Sequence, residues 1–287
     1  MRWSPGGRSD NLEDRRGASG GGMGFGGGGG GGMRLGVGGM LVLVVLSVVF
    51  KRDLITPFLG GGGVGPAPSS AAAPVNDPRE ENMVQFVSMV LDSTQATWSR
   101  TMSQYQPAKL VLYRDVTSTA CGTGQAASGP FYCPGDQKVY LDLAFFDELD
   151  TKFGAPGDFA QAYVLAHEIG HHVQNLLGTE QQLRQLQSRN PGRKNQLSVA
   201  MELQADCYAG VWGHDAARAG VLQPGDIDEG LSAAAAVGDD RLQKMAGRSV
   251  SPESFTHGSS SDRQKWFRQG FESGDPRSCD TFAALGR

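Results

Sequence analysis

An α+β fold is predicted for this chain: a mainly helical domain with a small sheet, behind an N-terminal transmembrane anchor. Three observations predict it. Long segments beyond residue 79 repeat apolar residues at three- and four-residue steps. Two shorter segments, Lys109–Tyr113 and residues 137–146, alternate instead, as strands do. A single uncharged apolar stretch, residues 35–50, separates a glycine-rich leader from all of them.

Residues 1–33 intersperse Arg, Asp and Glu with glycine, and residues 26–32 are all glycine. Such a segment has almost nothing to bury and is expected to be disordered. Residues 34–52 are expected to form the anchor. The apolar part, at about 24 Å as a helix, is short against a hydrocarbon core of about 30 Å. Ile55, Phe58 and snorkelling of Arg34 and Lys51 make up the difference. The long leader, and the distance from Phe50 to the small residues at 69–73, argue against a cleaved signal peptide. Arg2, Arg8, Arg15, Arg16 and Arg34 precede the stretch, and only Lys51 and Arg52 follow closely. That bias predicts a single-pass protein of the cell membrane, with a cytoplasmic N-terminus and an extracytoplasmic, periplasmic-side domain. Residues 53–78, rich in Gly, Pro, Ala and Ser, read as a flexible linker, leaving residues 79–287 for the folded domain.

All four cysteines lie beyond the apolar stretch. An even number in an exported domain suggests disulfides, and three pairings are open. Cys121–Cys133 is the natural local pair, and Cys207 would then join Cys279. No C-x-x-C spacing favours cysteine as a metal ligand.

Within the domain, residues 80–101 place Met83, Phe86, Val87, Val90, Leu91 and Trp98 at helical spacing. Pro134, Gly135 and Asp136 turn the chain into the alternating segment 137–146. Asp158 is an expected N-cap, with Gln161 as its capping-box partner, for a helix from about Phe159 to Leu177 stopped by Gly178. Ala162, Leu165, Ile169 and Val173 form its apolar stripe. A second helix is expected around residues 198–207, a third over residues 226–245 and a last one over residues 262–270, after a polar loop at 254–258.

The chemistry sits in His167-Glu168-Ile169-Gly170-His171. Two imidazoles four residues apart stand on one helical face and can grip one metal ion, while Glu168 can accept a proton from water activated by that ion. Glu202 is the candidate third ligand. Asp206, one turn on, would accept the free ring N–H of a ligating histidine. The bland reading of the Glu202–Asp206 pair is a solvated acidic face, and the apolar and small residues around it count against that. Imidazole and carboxylate ligands with one open position suit Zn²⁺, although Co²⁺ or Mn²⁺ can substitute. His257, in the 254–258 loop, is a candidate to stabilise an oxyanion; its plain alternative is a surface or capping histidine. His172 points about 100° from the ligand face, and His214 reads as a packing residue.

The strings His167-Glu-Ile-Gly-His171-His-Val-Gln and Met201-Glu-Leu-Gln-Ala-Asp-Cys-Tyr-Ala-Gly-Val-Trp-Gly-His214 resemble the YpfJ-type bacterial neutral zinc metallopeptidase family. So do the opening Met1-Arg-Trp, the segment at 9–16, Gly129-Pro-Phe-Tyr-Cys-Pro134 and Ser254-Phe-Thr-His-Gly258. The resemblance implies a zincin-like, gluzincin-like site with His167, His171 and Glu202 as zinc ligands and Glu168 as general base. It also implies that the strand before the motif helix, residues 139–143, flanks an extended peptide substrate; ordinary sheet packing is the alternative.

The expected partners are a peptide or protein substrate and the membrane. A net charge of −4 and the lack of a basic stripe after the linker give no support for nucleic-acid binding. Two rivals remain open at this point: a membrane-tethered binding or quality-control protein with a structural or vestigial zinc site, and a metal-dependent amidase acting on cell-wall peptide.

Overall fold

The computed structural model describes residues 1–17, 77–126 and 129–285. The expected anchor at 34–52 and the linker up to residue 76 lie outside the described residues. Among the described residues no helix is long and apolar enough to cross a membrane.

The first element corrects the sequence reading. Residues 1–17, expected to be disordered, pack on the domain and contribute strand β1 (Leu12–Asp14). Composition misleads here because backbone pairing and charge hold the segment together with only a few apolar contacts, those of Met1, Trp3 and Leu12 with the core. The Arg16 side chain is 1% exposed and ion-paired to Asp14 and Glu80. Trp3 stacks at a tilt on Phe86, with ring centroids 5.3 Å apart. The Met1 ammonium lies 2.6 Å from an Asp158 oxygen and 3.3 Å from one of Asp226.

Helix α1 (Pro78–Thr101) starts where Asp77 accepts from the Arg79 N–H, and it buries Val84, Val87, Val90, Leu91 and Trp98. Then follow β2 (Lys109–Tyr113), the hairpin β3 (Val116–Thr119) and β4 (Gly122–Gln125), β5 (Phe131–Cys133) and β6 (Lys138–Asp142). The sheet runs in the order β1-β2-β6-β5, with β1, β2 and β6 parallel and β5 antiparallel to β6. Both faces are covered, as parallel strands require. Leu110, Leu112, Val139 and Leu141 face the helices; Val111, Tyr113, Tyr140 and Cys133 form a second cluster beside the hairpin. Cys121–Cys133 ties the hairpin turn to β5.

The alternating segment ends sooner than its pattern suggests. Asp142 turns its carboxylate back to accept from the N–H groups of Asp115 and Ala144, and residues from Ala144 on become helix α2 (Ala144–Thr151). Helix α3 (Asp158–Leu176) carries the histidine motif. Its N-cap is Gly157 rather than Asp158; Glu229 accepts from the Phe159 N–H, and Asp158 is engaged by the Met1 ammonium. Helices α4 (Thr179–Arg189), α5 (Lys194–Arg218), α6 (Asp226–Ala236), α7 (Asp239–Met245) and α8 (Ser260–Ser273) complete the fold. The expected single helix over 226–245 is broken at Gly238, where a side chain would strike the Ser260 backbone.

Two close crossings position the site. At Gly210 and Gly270 an added Cβ would overlap the carbonyl oxygens of Phe267 and Cys207, so α5 and α8 touch backbone to backbone. Cys207–Cys279 bonds the C-terminal tail to the same helix. At Gly170 a Cβ would stand 3.0 Å from the Ala205 carbonyl oxygen and 3.1 Å from its Cα, so α3 rests directly on α5. Gly170→Val is expected to push these helices apart and cost about 1–3 kcal/mol, read as a lower thermal midpoint in the full chain. An unchanged midpoint would contradict the tight crossing.

Candidate metal centre

Four-residue spacing on α3 stacks His167 and His171 with ring centroids 4.7 Å apart. Glu202 on α5 meets both: its Oε2 lies 3.3 Å from His167 Nε2 and its Oε1 3.7 Å from His171 Nε2. One ligand atom from each of the three falls within 4.8 Å of the others. Two imidazole nitrogens and a carboxylate oxygen converging in this way match the donor set of an open tetrahedral zinc site.

The residues behind the histidines fix which nitrogen faces inward. His167 Nδ1 is 2.9 Å from Asp206 Oδ1, and His171 Nδ1 is 2.8 Å from Gln174 Oε1. Both partners accept, so each Nδ1 carries a hydrogen and each Nε2 is the nitrogen left to face a metal, which it can bind once it is deprotonated. Gln174 is held in turn, donating to the Met201 carbonyl at 2.7 Å and to Gln204 Oε1 at 3.1 Å. Asp206 has no solvent exposure. Tyr163 donates its hydroxyl to Oδ1, and Arg263 on α8 donates from Nε to Oδ2 and from Nη2 to Oδ1, each at 2.8 Å. Burial favours a protonated Asp206, but the Arg263 charge and the His167 ring outweigh it and hold the pKa below the usual carboxylate range.

A cleft of about 1500 Å³ opens over these residues. Glu168, 8% exposed, lines it, and among the described residues no hydrogen bond occupies its carboxylate. His257 lines it as well, with its side chain about a third exposed (34%) and its Nδ1 3.1 Å from Asp239 Oδ1. The other Asp239 oxygen accepts from the backbone N–H groups of Thr256, His257 and Gly258, at 2.6, 2.6 and 3.0 Å. One carboxylate at the start of α7 therefore sets both the loop and its imidazole. Its apolar walls include Phe145, Phe153, Val164, Leu183, Met201 and Leu285.

Residues 139–143, the expected substrate strand, are not available to a peptide. Strand β6 is hydrogen-bonded to β2 on one edge and β5 on the other. Among the described strands β5 lies at the edge of the sheet, and its Phe131 and Tyr132 line the cleft. His172 lies outside the site: fully buried, it meets the Tyr132 hydroxyl at 3.0 Å and the Gln106 carbonyl at 2.6 Å. His214 meets the Phe271 carbonyl at 2.7 Å, a packing position.

The sequence profile of the family described as "putative neutral zinc metallopeptidase" matches residues 1–282. The chain belongs to this family. It is 49% identical to "Uncharacterized protein YpfJ" of Escherichia coli (strain K12), over 98% of this chain and 99% of that protein. It is 45% identical to "Uncharacterized protein Rv2575" of Mycobacterium tuberculosis (strain ATCC 25618 / H37Rv), over 67% of this chain and 68% of that one. No solved structure matches it.

Four residues of this neutral zinc metallopeptidase family member escaped the sequence reading: Tyr163, Gln174, Asp239 and Arg263. Tyr163 precedes His167 by four and Gln174 follows His171 by three, so helical spacing alone could have found them. Arg263 and Asp239 reach the site from other helices and leave no local signal. Asp206→Ala is expected to weaken zinc affinity about 10–100-fold, measured by chelator competition. Arg263→Met strands a buried carboxylate and is expected to cost about 3–5 kcal/mol of stability; an unaltered thermal midpoint would refute the pairing. Burial opposes a charge on His167, yet Asp206 and Glu202 hold its pKa up at about 9 when no metal is bound. Below that pH a proton must leave for zinc to enter. Apparent zinc affinity should therefore fall about tenfold per displaced proton for each pH unit lowered, and a pH-independent affinity would be the contrary result.

Proposed function

We propose that the protein is a zinc-dependent, membrane-associated peptidase. The observation that carries this is the convergence of His167 Nε2, His171 Nε2 and Glu202 beside a free Glu168 carboxylate, all in one large cleft. His167, His171 and Glu202 hold the zinc ion. When bound, zinc supplies Lewis acidity that makes water nucleophilic near neutral pH and polarises a carbonyl.

Glu168 accepts the proton of the attacking water and hands it to the leaving amine nitrogen. His257, which lines the cleft and is steadied at Nδ1 by Asp239, donates from its other ring nitrogen to the oxyanion that develops on the carbonyl. Burial opposes a charge on His257, but the Asp239 and Glu202 carboxylates raise its pKa, which favours the protonated form in which both ring nitrogens are donors. Asp206, Arg263 and Tyr163 keep the His167 ring in place. The two disulfides and the apolar stretch at 35–50 support an extracytoplasmic setting at the membrane.

The test is cleavage of an unfolded protein by the purified full chain, beside three variants. Glu168→Gln is expected to keep zinc and lose hydrolysis. Glu202→Ala should lose zinc. His257→Ala should keep zinc and lower kcat about 10²–10³-fold. Full activity in Glu168→Gln would overturn the assigned base. A zinc-loaded wild type that cleaves nothing would favour the binding-protein reading, and cleavage confined to cell-wall peptide would favour the amidase.

A further inference from the structure

The chain on the two sides of the apolar stretch 35–50 builds one body. Before the stretch, β1 pairs with β2 in parallel, Leu12 opposite Leu110 and Asp14 opposite Leu112. Leu110 N–H donates to the Asn11 carbonyl at 2.9 Å, Arg15 N–H to the Leu112 carbonyl at 2.7 Å, and Arg2 N–H to the Val221 carbonyl at 2.6 Å. Arg16 is buried against Glu80 of α1, and Arg8 pairs with Glu81 of the same helix. A span that crosses a bilayer once leaves its two flanks on opposite faces, about 30 Å of hydrocarbon apart. Backbone hydrogen bonds cannot form across that gap. Exchange of β1 with a second copy would not remove the conflict, because the exchanged strand must still reach β2.

We infer that residues 1–17 and 77–285 lie on the same face of the membrane, so that residues 35–50 meet lipid from that face without carrying the domain across it. Charge agrees once the folded contacts are counted. Arg8, Arg15 and Arg16, which suggested a cytoplasmic leader, are ion-paired within the body to Asp14, Glu13, Glu80 and Glu81. The basic residues left are Arg2 and Arg34 before the stretch and Lys51 and Arg52 directly after it, which give no excess on the N-terminal side. Length agrees too. A return crossing would need about 40 apolar residues in two spans, and the uncharged stretch ends at Phe50, sixteen residues from its start at Leu35. The disulfides place this shared face on the oxidising side.

The inference stands apart from catalysis and is tested by position alone. Full-length chains carrying Asp10→Cys or Lys265→Cys, both exposed sites, are made in bacteria stripped of their outer barrier. They are then treated with a membrane-impermeant maleimide, with a cytosolic thiol protein as the leakage control. Labelling of both positions before lysis, to comparable extents, is the expected result. Protection of both until lysis would keep the shared face but move it to the cytoplasm, overturning the oxidising-side assignment. Labelling of Lys265→Cys with Asp10→Cys protected until lysis, or the reverse, would overturn the inference and restore the single crossing.

Discussion

A carboxylate with no exposure to solvent must have its charge answered from inside the protein, and Asp206 is answered from two directions. Arg263 on α8 grips both of its oxygens, while Tyr163 and His167 on α3 share one of them. Three helices thus meet at one ion. Taking both charges out of water is costly unless every lone pair is used, and here each carboxylate oxygen has at least one donor. The Gly210–Gly270 crossing brings α8 close enough for Arg263 to reach, and Cys207–Cys279 fastens the adjoining tail. The orientation of the His167 ring is a consequence of that buried pair.

The second half of the site is organised by the same logic with a different carboxylate. Asp239 collects three backbone N–H groups and the His257 ring, so an irregular loop acquires a fixed shape without regular secondary structure. One anion orients a ligand from below, and another orients an imidazole at the wall of the cleft. Among the described residues no hydrogen bond occupies the Glu168 carboxylate, which lines the same cleft. His167, His171 and Glu202 stand on helices, and much of the cleft wall comes from loops, α2 and the ends of helices.

The sheet shows why composition is an incomplete guide. Residues 1–17 contain few apolar side chains, yet an edge strand needs only a partner with free N–H and C=O groups, which β2 supplies. Arg8 and Arg16 of that segment fasten it to α1 through Glu81 and Glu80. At the opposite edge β5 stands beside the metal centre, because β6 is enclosed between two neighbours.

The sequence by itself determined what local periodicity can carry. The 3.6-residue turn puts His167 over His171 and Glu202 over Asp206, so both halves of the metal centre were legible before any fold was known, as were α1, β2 and the local pairing of Cys121 with Cys133. It could not show that the segment 226–245 breaks at Gly238, because the cause is the Ser260 backbone more than twenty residues away. Nor could it show that Arg263 and Asp239 belong to the site, or that β1 joins the sheet from beyond the apolar stretch. Those facts depend on which elements dock together. Docking is decided by complementary surfaces and buried charge, interactions with no fixed spacing along the chain, so only the tertiary structure revealed them.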